Sequence, residues 1–263
     1  MRIALGLEYD GRPFTGWQSQ ADGRGVQDAL ERALAVIADG TVRTIAAGRT
    51  DAGVHATMQV VHFEAGADRP DNAWVRGVNS HLPAEVAVLW ARPVADRFHA
   101  RFDAVRRHYT YLLCVREVRP ALSTGRLGWY HRVLDVAAMQ DAAGVLAGTH
   151  DFSAFRAAQC QAKSPIRTLS HVAVTATAGH IRFDFCANAF LHHMIRNIVG
   201  ALVYVGAGKR PAAWIGELLA ARDRTRAAPT FAPDGLYFTG ADYDAKWNLP
   251  PTRRPLSPAL LPA

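Results

Sequence analysis

The hydrophobic pattern of this chain changes period repeatedly, and that switching restricts the fold class more than any other feature. Runs of strand length stand at Arg2–Tyr9, Val42–Ala47, Met58–Phe63, Val86–Trp90 and His108–Val115, the first ending in the turn-forming pair Asp10-Gly11. Between the first two, Val26, Ala29, Leu30, Ala33, Leu34 and Ile37 recur at the spacing of one helix face. They predict an amphipathic helix that stops near Gly40. The second half repeats the theme loosely. A helix is expected at Val136–Leu146 and alternating strands at Val172–Thr177 and Ile181–Phe185. A further helix gathers Leu191, Met194, Ile195, Ile198, Val199, Leu202 and Val205 on one broad face. A shorter helix, Ala212–Ala220, is opened by Pro211, and a last strand lies at Leu236–Thr239. Strands and helices mix without the regular βαβ spacing of a parallel sheet. The expectation is therefore an α+β protein of two similar halves, with mixed or antiparallel sheets flanked by helices and a ligand cleft between them. The halves are placed at residues 1–104 and 105–245, with a proline-rich tail, extended or mobile, at 246–263.

Composition limits the partners. With 263 residues, 49% of them hydrophobic, the chain can bury one large core or two smaller ones. Lys and Arg number 30 against 23 Asp and Glu, a net charge of +7 that favours a polyanion. RNA, DNA and an acidic membrane surface all satisfy it. Lysine occurs only at Lys163, Lys209 and Lys246, so nearly all the positive charge is arginine. Its planar fork suits phosphate and stacks on bases, although a GC-rich genome produces the same bias. Cys114, Cys160 and Cys186 lie far apart without a CxxC pair, so neither a zinc site nor a disulfide framework is indicated, and a reducing compartment fits. The first apolar run meets Glu8 too soon for a signal peptide, and no stretch approaches the roughly 20 apolar residues of a membrane span. A cytoplasmic protein without membrane association is expected.

Several signals fail on inspection. Gly206-Ala207-Gly208-Lys209 suggests a phosphate loop, but Val203 stands where the first glycine is needed and Arg210 follows the lysine. No GxGxxG opens a helix after a strand, so a dinucleotide site lacks support. Among 11 histidines the pair His192-His193 invites a metal. On the predicted helix, adjacent residues point about 100° apart and do not share an ion as an i, i+4 pair does. No metal is expected, and both histidines are assigned to packing or RNA contact.

The segment with chemical content is Gly48-Arg49-Thr50-Asp51-Ala52-Gly53-Val54-His55-Ala56, set between two apolar strands. An isolated Asp-x-Gly is ordinarily turn chemistry. Here an arginine two residues before the aspartate could hold it ionised or meet a phosphate, and the small flanking residues let a bulky ligand approach the backbone. This run resembles the signature of the TruA-type tRNA pseudouridine synthases, with the catalytic aspartate falling on Asp51. The resemblance continues in order through Leu7-Glu8-Tyr9-Asp10-Gly11, Gly16-Trp17-Gln18, Val26-Gln27, Gln59-Val60-Val61-His62-Phe63, Phe98-His99-Ala100-Arg101-Phe102, His150-Asp151-Phe152 and Ala187 to Asn197. Each block alone is weak, and their joint order and spacing are specific. Only the loops and the tail beyond Asp242 are unassigned.

The resemblance implies the pseudouridine synthase fold and isomerisation of uridine to pseudouridine at positions 38, 39 and 40 of the tRNA anticodon stem and loop. It implies tRNA as partner, a homodimer, and no cofactor. Residue by residue, it places a tyrosine against the target uracil at Tyr109, within Arg106-Arg107-His108-Tyr109-Thr110-Tyr111. The choice over Tyr111 rests on the flanking blocks. An arginine paired with the carboxylate corresponds to Arg196, a pocket leucine to Leu236, and a residue that helps displace the base to Arg49. Arg49, Arg106 and Arg107 are candidates for phosphate contact, and His192 and His193 for RNA contact. Taken singly, Tyr109 reads as a core aromatic, Arg196 as a snorkelling side chain and Leu236 as core.

The chemistry is consistent with these residues. The N1–C1′ bond breaks, the uracil turns, a C5–C1′ bond forms and the C5 proton leaves, so nothing is oxidised. An ionised carboxylate must act on the sugar or the base, and a closed pocket must retain the detached ring. Two other classes fit parts of the sequence: a non-catalytic tRNA-binding protein or chaperone, and a small-molecule enzyme of unrelated fold using Asp51 as general base. The joint presence of Asp51, Tyr109 and Arg196 favours catalysis on RNA.

Overall fold

The computed structural model describes residues 1–70, 72–177 and 179–256, and it is an α+β structure of two compact units. One unit comprises Met1–Arg107 with Tyr237–Leu256, and the other His108–Leu236.

The first unit is built on β1 (Arg2–Tyr9), whose residues Ile3, Ala4, Leu5 and Leu7 are all buried. Helix α1 (Val26–Ala38) follows and buries Val26, Ala29, Leu30, Ala33 and Leu34, the face predicted from their spacing. Its start is held by Asp28, which accepts a hydrogen bond from the Gly25 N–H at 2.9 Å and one from the Ser19 hydroxyl at 2.6 Å. Strand β2 is only Ile45–Ala46, shorter than the predicted Val42–Ala47. The reason is local: the N–H and hydroxyl of Thr44 both donate to Glu31 on α1, at 2.7 and 2.9 Å, so this stretch is held to the helix. Strands β3 (His55–Glu64) and β4 (Val86–Val94) both pair antiparallel with β1. Between them lies a π-helical turn, Ala73–Gly77, that the periodicity did not signal.

The chain passes into the second unit along β5 (Ala104–Val115). There it forms β6 (Gly128–Tyr130), α2 (Val136–Gly144), β7 (Gly148–Asp151), β8 (Ile166–Thr177), β9 (His180–Ala187), α3 (Met194–Gly206) and α4 (Trp214–Ala221). The strand order is β5-β9-β8-β7, with β6 parallel to β5. Helix α3 begins at Met194 instead of Leu191, because His193 adopts a left-handed φ of 60° that interrupts the helix. His192 and His193 therefore sit in the turn before α3. Their rings lie 4.0 Å apart, so the helical-angle reason given for separating them does not apply.

Strand β10 (Leu236–Tyr243) returns the chain to the first unit, where it runs parallel to β3 through Tyr237 and Phe238. The following residues pack with it: Arg253 bridges Gly240, the Arg254 N–H donates to the Thr239 carbonyl at 2.9 Å, and Leu256 is buried. Residues 237–256 thus join the first unit, unlike the sequence-based halves at 105–245 and 246–263. The remainder of the tail, 257–263, lies outside the described residues.

Candidate active site

The Asp51 loop is fixed by its backbone. Gln59, on β3 and fully buried, donates from Nε2 to the Gly48 carbonyl at 2.6 Å and accepts the Gly48 N–H at 3.4 Å. The Tyr9 and Thr50 hydroxyls are hydrogen bonded at 2.8 Å, and the Thr50 carbonyl accepts the Trp17 N–H at 2.9 Å. The Asp51 carbonyl accepts from Val54 N–H at 3.1 Å, closing a turn in which Gly53 has φ of 77°. Gly16, with φ of 105°, lies so close that a Cβ there would stand 2.8 Å from the Thr50 carbonyl oxygen. Burial pushes the Tyr9 phenol up to about 12, against hydrogen bonds to Thr50 and Gln59 that lower it, so it keeps its proton at neutral pH.

The far end of the loop is stitched to the end of β1. His55 is buried, with Nδ1 at 3.1 Å from the Gly11 N–H nitrogen and 3.3 Å from an Asp10 carboxylate oxygen, and its ring stacks on Tyr237 at 4.6 Å. Burial opposes ionisation of Asp10, but hydrogen bonds to His55 and Arg12 prevail and hold its carboxyl well below the usual range. Asp51 itself is half-buried at the centre of this frame, and Arg49 is exposed. None of Tyr9, Gly16, Trp17 or Gln59 received a role from the sequence. They stood only as blocks of the resemblance.

Two arginines expected at phosphates differ. Arg106 is exposed. Arg107 is half-buried and donates to the carbonyls of Ala47 (3.2 and 3.1 Å), Ala104 (2.9 Å) and Arg101, so it braces the strand leading into the Asp51 loop.

In the second unit, the two tyrosines of β5 separate clearly. Tyr111 has no exposure, its hydroxyl donates to the Ala232 carbonyl at 3.0 Å, and a Cβ at Gly128 would come within 2.2 Å of that hydroxyl. Burial drives its phenol far above the ordinary value. Tyr109 retains 8% exposure and meets Phe190 edge to face at 5.1 Å. Leu236 is buried at the start of β10. Arg196, in the first turn of α3, is half-buried and donates from Nε to the Phe231 carbonyl at 2.8 Å. Beside it Asn197, fully buried, donates to the Phe155 carbonyl at 2.8 Å and accepts from Thr230 at 2.7 Å and Arg224 at 3.1 Å. These bonds tie the segment carrying Thr230 and Phe231 to α3. His192 is exposed and His193 half-buried.

Gln59→Leu tests whether β3 holds the loop. It keeps the bulk but leaves the half-buried Gly48 peptide without its partners, so stability should fall by about 1–3 kcal/mol. Urea denaturation measures it, and a change below about 0.5 kcal/mol would show that Gln59 is not the anchor.

The first unit pins one aspartate on a backbone-fixed loop, and the second carries on β5 a tyrosine that keeps a little of its surface, both features expected of a pseudouridine synthase. The comparisons agree. A family model for tRNA pseudouridine synthase matches residues 7–103 and 142–244. The chain is 62% identical over 251 residues to tRNA pseudouridine synthase A of Chromobacterium violaceum, covering 95% of this chain and 96% of the relative. It is 59% identical over 256 residues to the protein of that name in Methylobacillus flagellatus, at 97% and 98% coverage. The same enzyme of Dechloromonas aromatica is 60% identical over 250 residues, at 95% of each. The chain belongs to the tRNA pseudouridine synthase family.

Proposed function

We propose that this protein is the isomerase that converts uridine to pseudouridine at positions 38, 39 and 40 of the tRNA anticodon stem and loop, with Asp51 as its catalytic carboxylate. The observation that carries the reading is the Asp51 loop, rigidly anchored through Gln59, Tyr9 and Trp17 in a chain that matches the family over nearly its whole length. A fixed backbone presents the carboxylate at one place and leaves the reaction little reorganisation to perform.

In this reading Asp51 attacks either C1′ of the ribose or the uracil ring, and both routes need it ionised. The N1–C1′ bond breaks, the base turns within the pocket, C5 bonds to C1′, the C5 hydrogen leaves as a proton, and the freed N1 takes up a proton from solvent. The sum is an isomerisation that consumes no cofactor. Arg196 pairs with the carboxylate and favours its charged form. Tyr109 stacks on the uracil, Leu236 lines the pocket and Arg49 helps displace the base from its stack. Arg106, His192 and His193, all at least partly exposed, contact the RNA. The protein works as a cytoplasmic homodimer; among the described residues no helix is long and apolar enough to cross a membrane. Incubation with tRNA carrying tritium at uridine C5 tests the assignment. Stoichiometric release of label is expected, and no release from any tRNA would sink it.

A further inference from the structure

Besides the Asp51 loop, the first unit carries a second concavity that the proposed chemistry does not use. A cavity of about 470 Å³ is lined by Arg92, Val94, Arg97, Lys246, Trp247 and Asn248, among others. Trp247 is its buried floor, fixed edge to face on the fully buried Phe98 at 5.2 Å. Two cations lie over the indole: the Arg97 guanidinium 5.7 Å and the Lys246 ammonium 5.3 Å from the ring centre. Cation–π attraction holds them there. Arg92, Arg97, Lys246 and Asn248 are all exposed at the rim. Asp244 pairs at this rim, 3.5 Å from Lys246, and it also accepts the Lys246 N–H at the start of the short 3-10 turn. Three positive charges lining one cavity repel one another, and an anion between them relieves that repulsion.

The place of this cavity in the sheet decides what anion it meets. Arg92 pairs opposite Ala4 and Val94 opposite Arg2, whereas Tyr9, which is hydrogen bonded to Thr50, pairs opposite Val86. The cavity thus lies at the other end of β1 from the Asp51 loop, roughly 20 Å away at about 3.3 Å per residue. That is beyond the reach of the nucleotide under reaction and within the span of a folded tRNA. We infer that Arg92, Arg97 and Lys246 form a remote phosphate-binding site that grips the backbone of the tRNA body while the target uridine occupies the Asp51 pocket. This rests on the reading of the protein as a tRNA enzyme. An open, rim-exposed cluster of arginines suits a polymer backbone, which supplies successive phosphates.

The test is the double variant Arg92→Gln with Arg97→Gln, titrated with unmodified tRNA transcript between about 50 and 250 mM salt. Each phosphate contact contributes about 0.7 to 0.9 to the slope of log affinity against log salt. The variant should therefore lose roughly one to two from that slope and bind about tenfold or more weakly at the low end. Its kcat at saturating tRNA should equal that of wild type. An unchanged slope overturns the inference, whether affinity stays the same, as for a protein partner or a free-anion site, or falls, as for a purely structural role. Binding is read without turnover, so wild-type protein that binds tRNA but releases no C5 tritium would sink the proposed activity and leave this site standing.

Discussion

Asp51→Asn is expected to release no tritium from C5-labelled tRNA while keeping its fold and its tRNA affinity close to wild type. The substitution preserves volume and removes only the charge. The loop has anchors that do not involve that charge: the Gly48 peptide on Gln59, the Thr50 carbonyl on the Trp17 N–H and the Asp51 carbonyl on the Val54 N–H. These are backbone bonds or bonds of neighbouring residues. An amide cannot serve as a carboxylate nucleophile, so the loss should fall on kcat and exceed about four orders of magnitude, or more than roughly 5 kcal/mol of transition-state stabilisation. Binding is expected to persist, since phosphate contacts by arginines are untouched. Turnover within about tenfold of wild type would exclude Asp51 as nucleophile, because an interaction realised mainly in the transition state costs far more than that when removed. The Gly48 to Gly53 segment would then be a well-anchored turn and nothing more.

The contrast between that aspartate and its supports shows what a sequence makes legible. Asp51 lies in a contiguous run whose residue types carry chemistry together. The residues that hold it are scattered: Tyr9 meets Thr50 across 41 positions and Gln59 meets Gly48 across 11. Hydrogen bonds between distant residues leave no periodicity, so their partners emerge only once β1 and β3 lie side by side. The fold divides in the same way. Helices α1 and α2 declare themselves through regular burial of one face, and strand β1 through a short apolar run buried along its length. Strands β6 and β7, of three and four residues, are too short to show a period. The start of α3 was misplaced because Leu191 fits the helical face in spacing, while the left-handed backbone at His193 is invisible in composition. Arg107 was a candidate phosphate ligand together with Arg49 and Arg106. The structure spends its guanidinium on carbonyls of its own unit.

Tyr109→Leu should abolish turnover with little loss of stability, and Tyr111→Phe should do the reverse. The two residues alternate on one strand, which alone gives no reason to prefer either. Their surroundings do. Tyr111 is sealed, with its hydroxyl on the Ala232 carbonyl and glycines at 128 and 235 making room for its ring. Removing that hydroxyl leaves a buried carbonyl without its donor and should cost about 1–2 kcal/mol in urea denaturation, with kcat preserved. Tyr109 keeps a fraction of its surface and meets Phe190 edge to face, and in the proposed reading its ring is the platform for an extruded base. Stacking of a base on an aromatic ring contributes about 1–3 kcal/mol, and loss of the ring also frees the detached uracil to turn wrongly or escape. Tyr109→Phe separates the two duties of the side chain. It retains the stack and removes the hydroxyl, so full release of tritium would assign Tyr109 to positioning, whereas inactivity equal to that of Tyr109→Leu would assign the hydroxyl a part in proton transfer or hydrogen bonding. Single-turnover release of C5 tritium, measured with tRNA bound to saturation, reads the chemical step apart from binding. If Tyr111→Phe abolished that release while Tyr109→Leu preserved it, the strand would present Tyr111 to the uracil, and the sealed environment seen around it would have to open during catalysis.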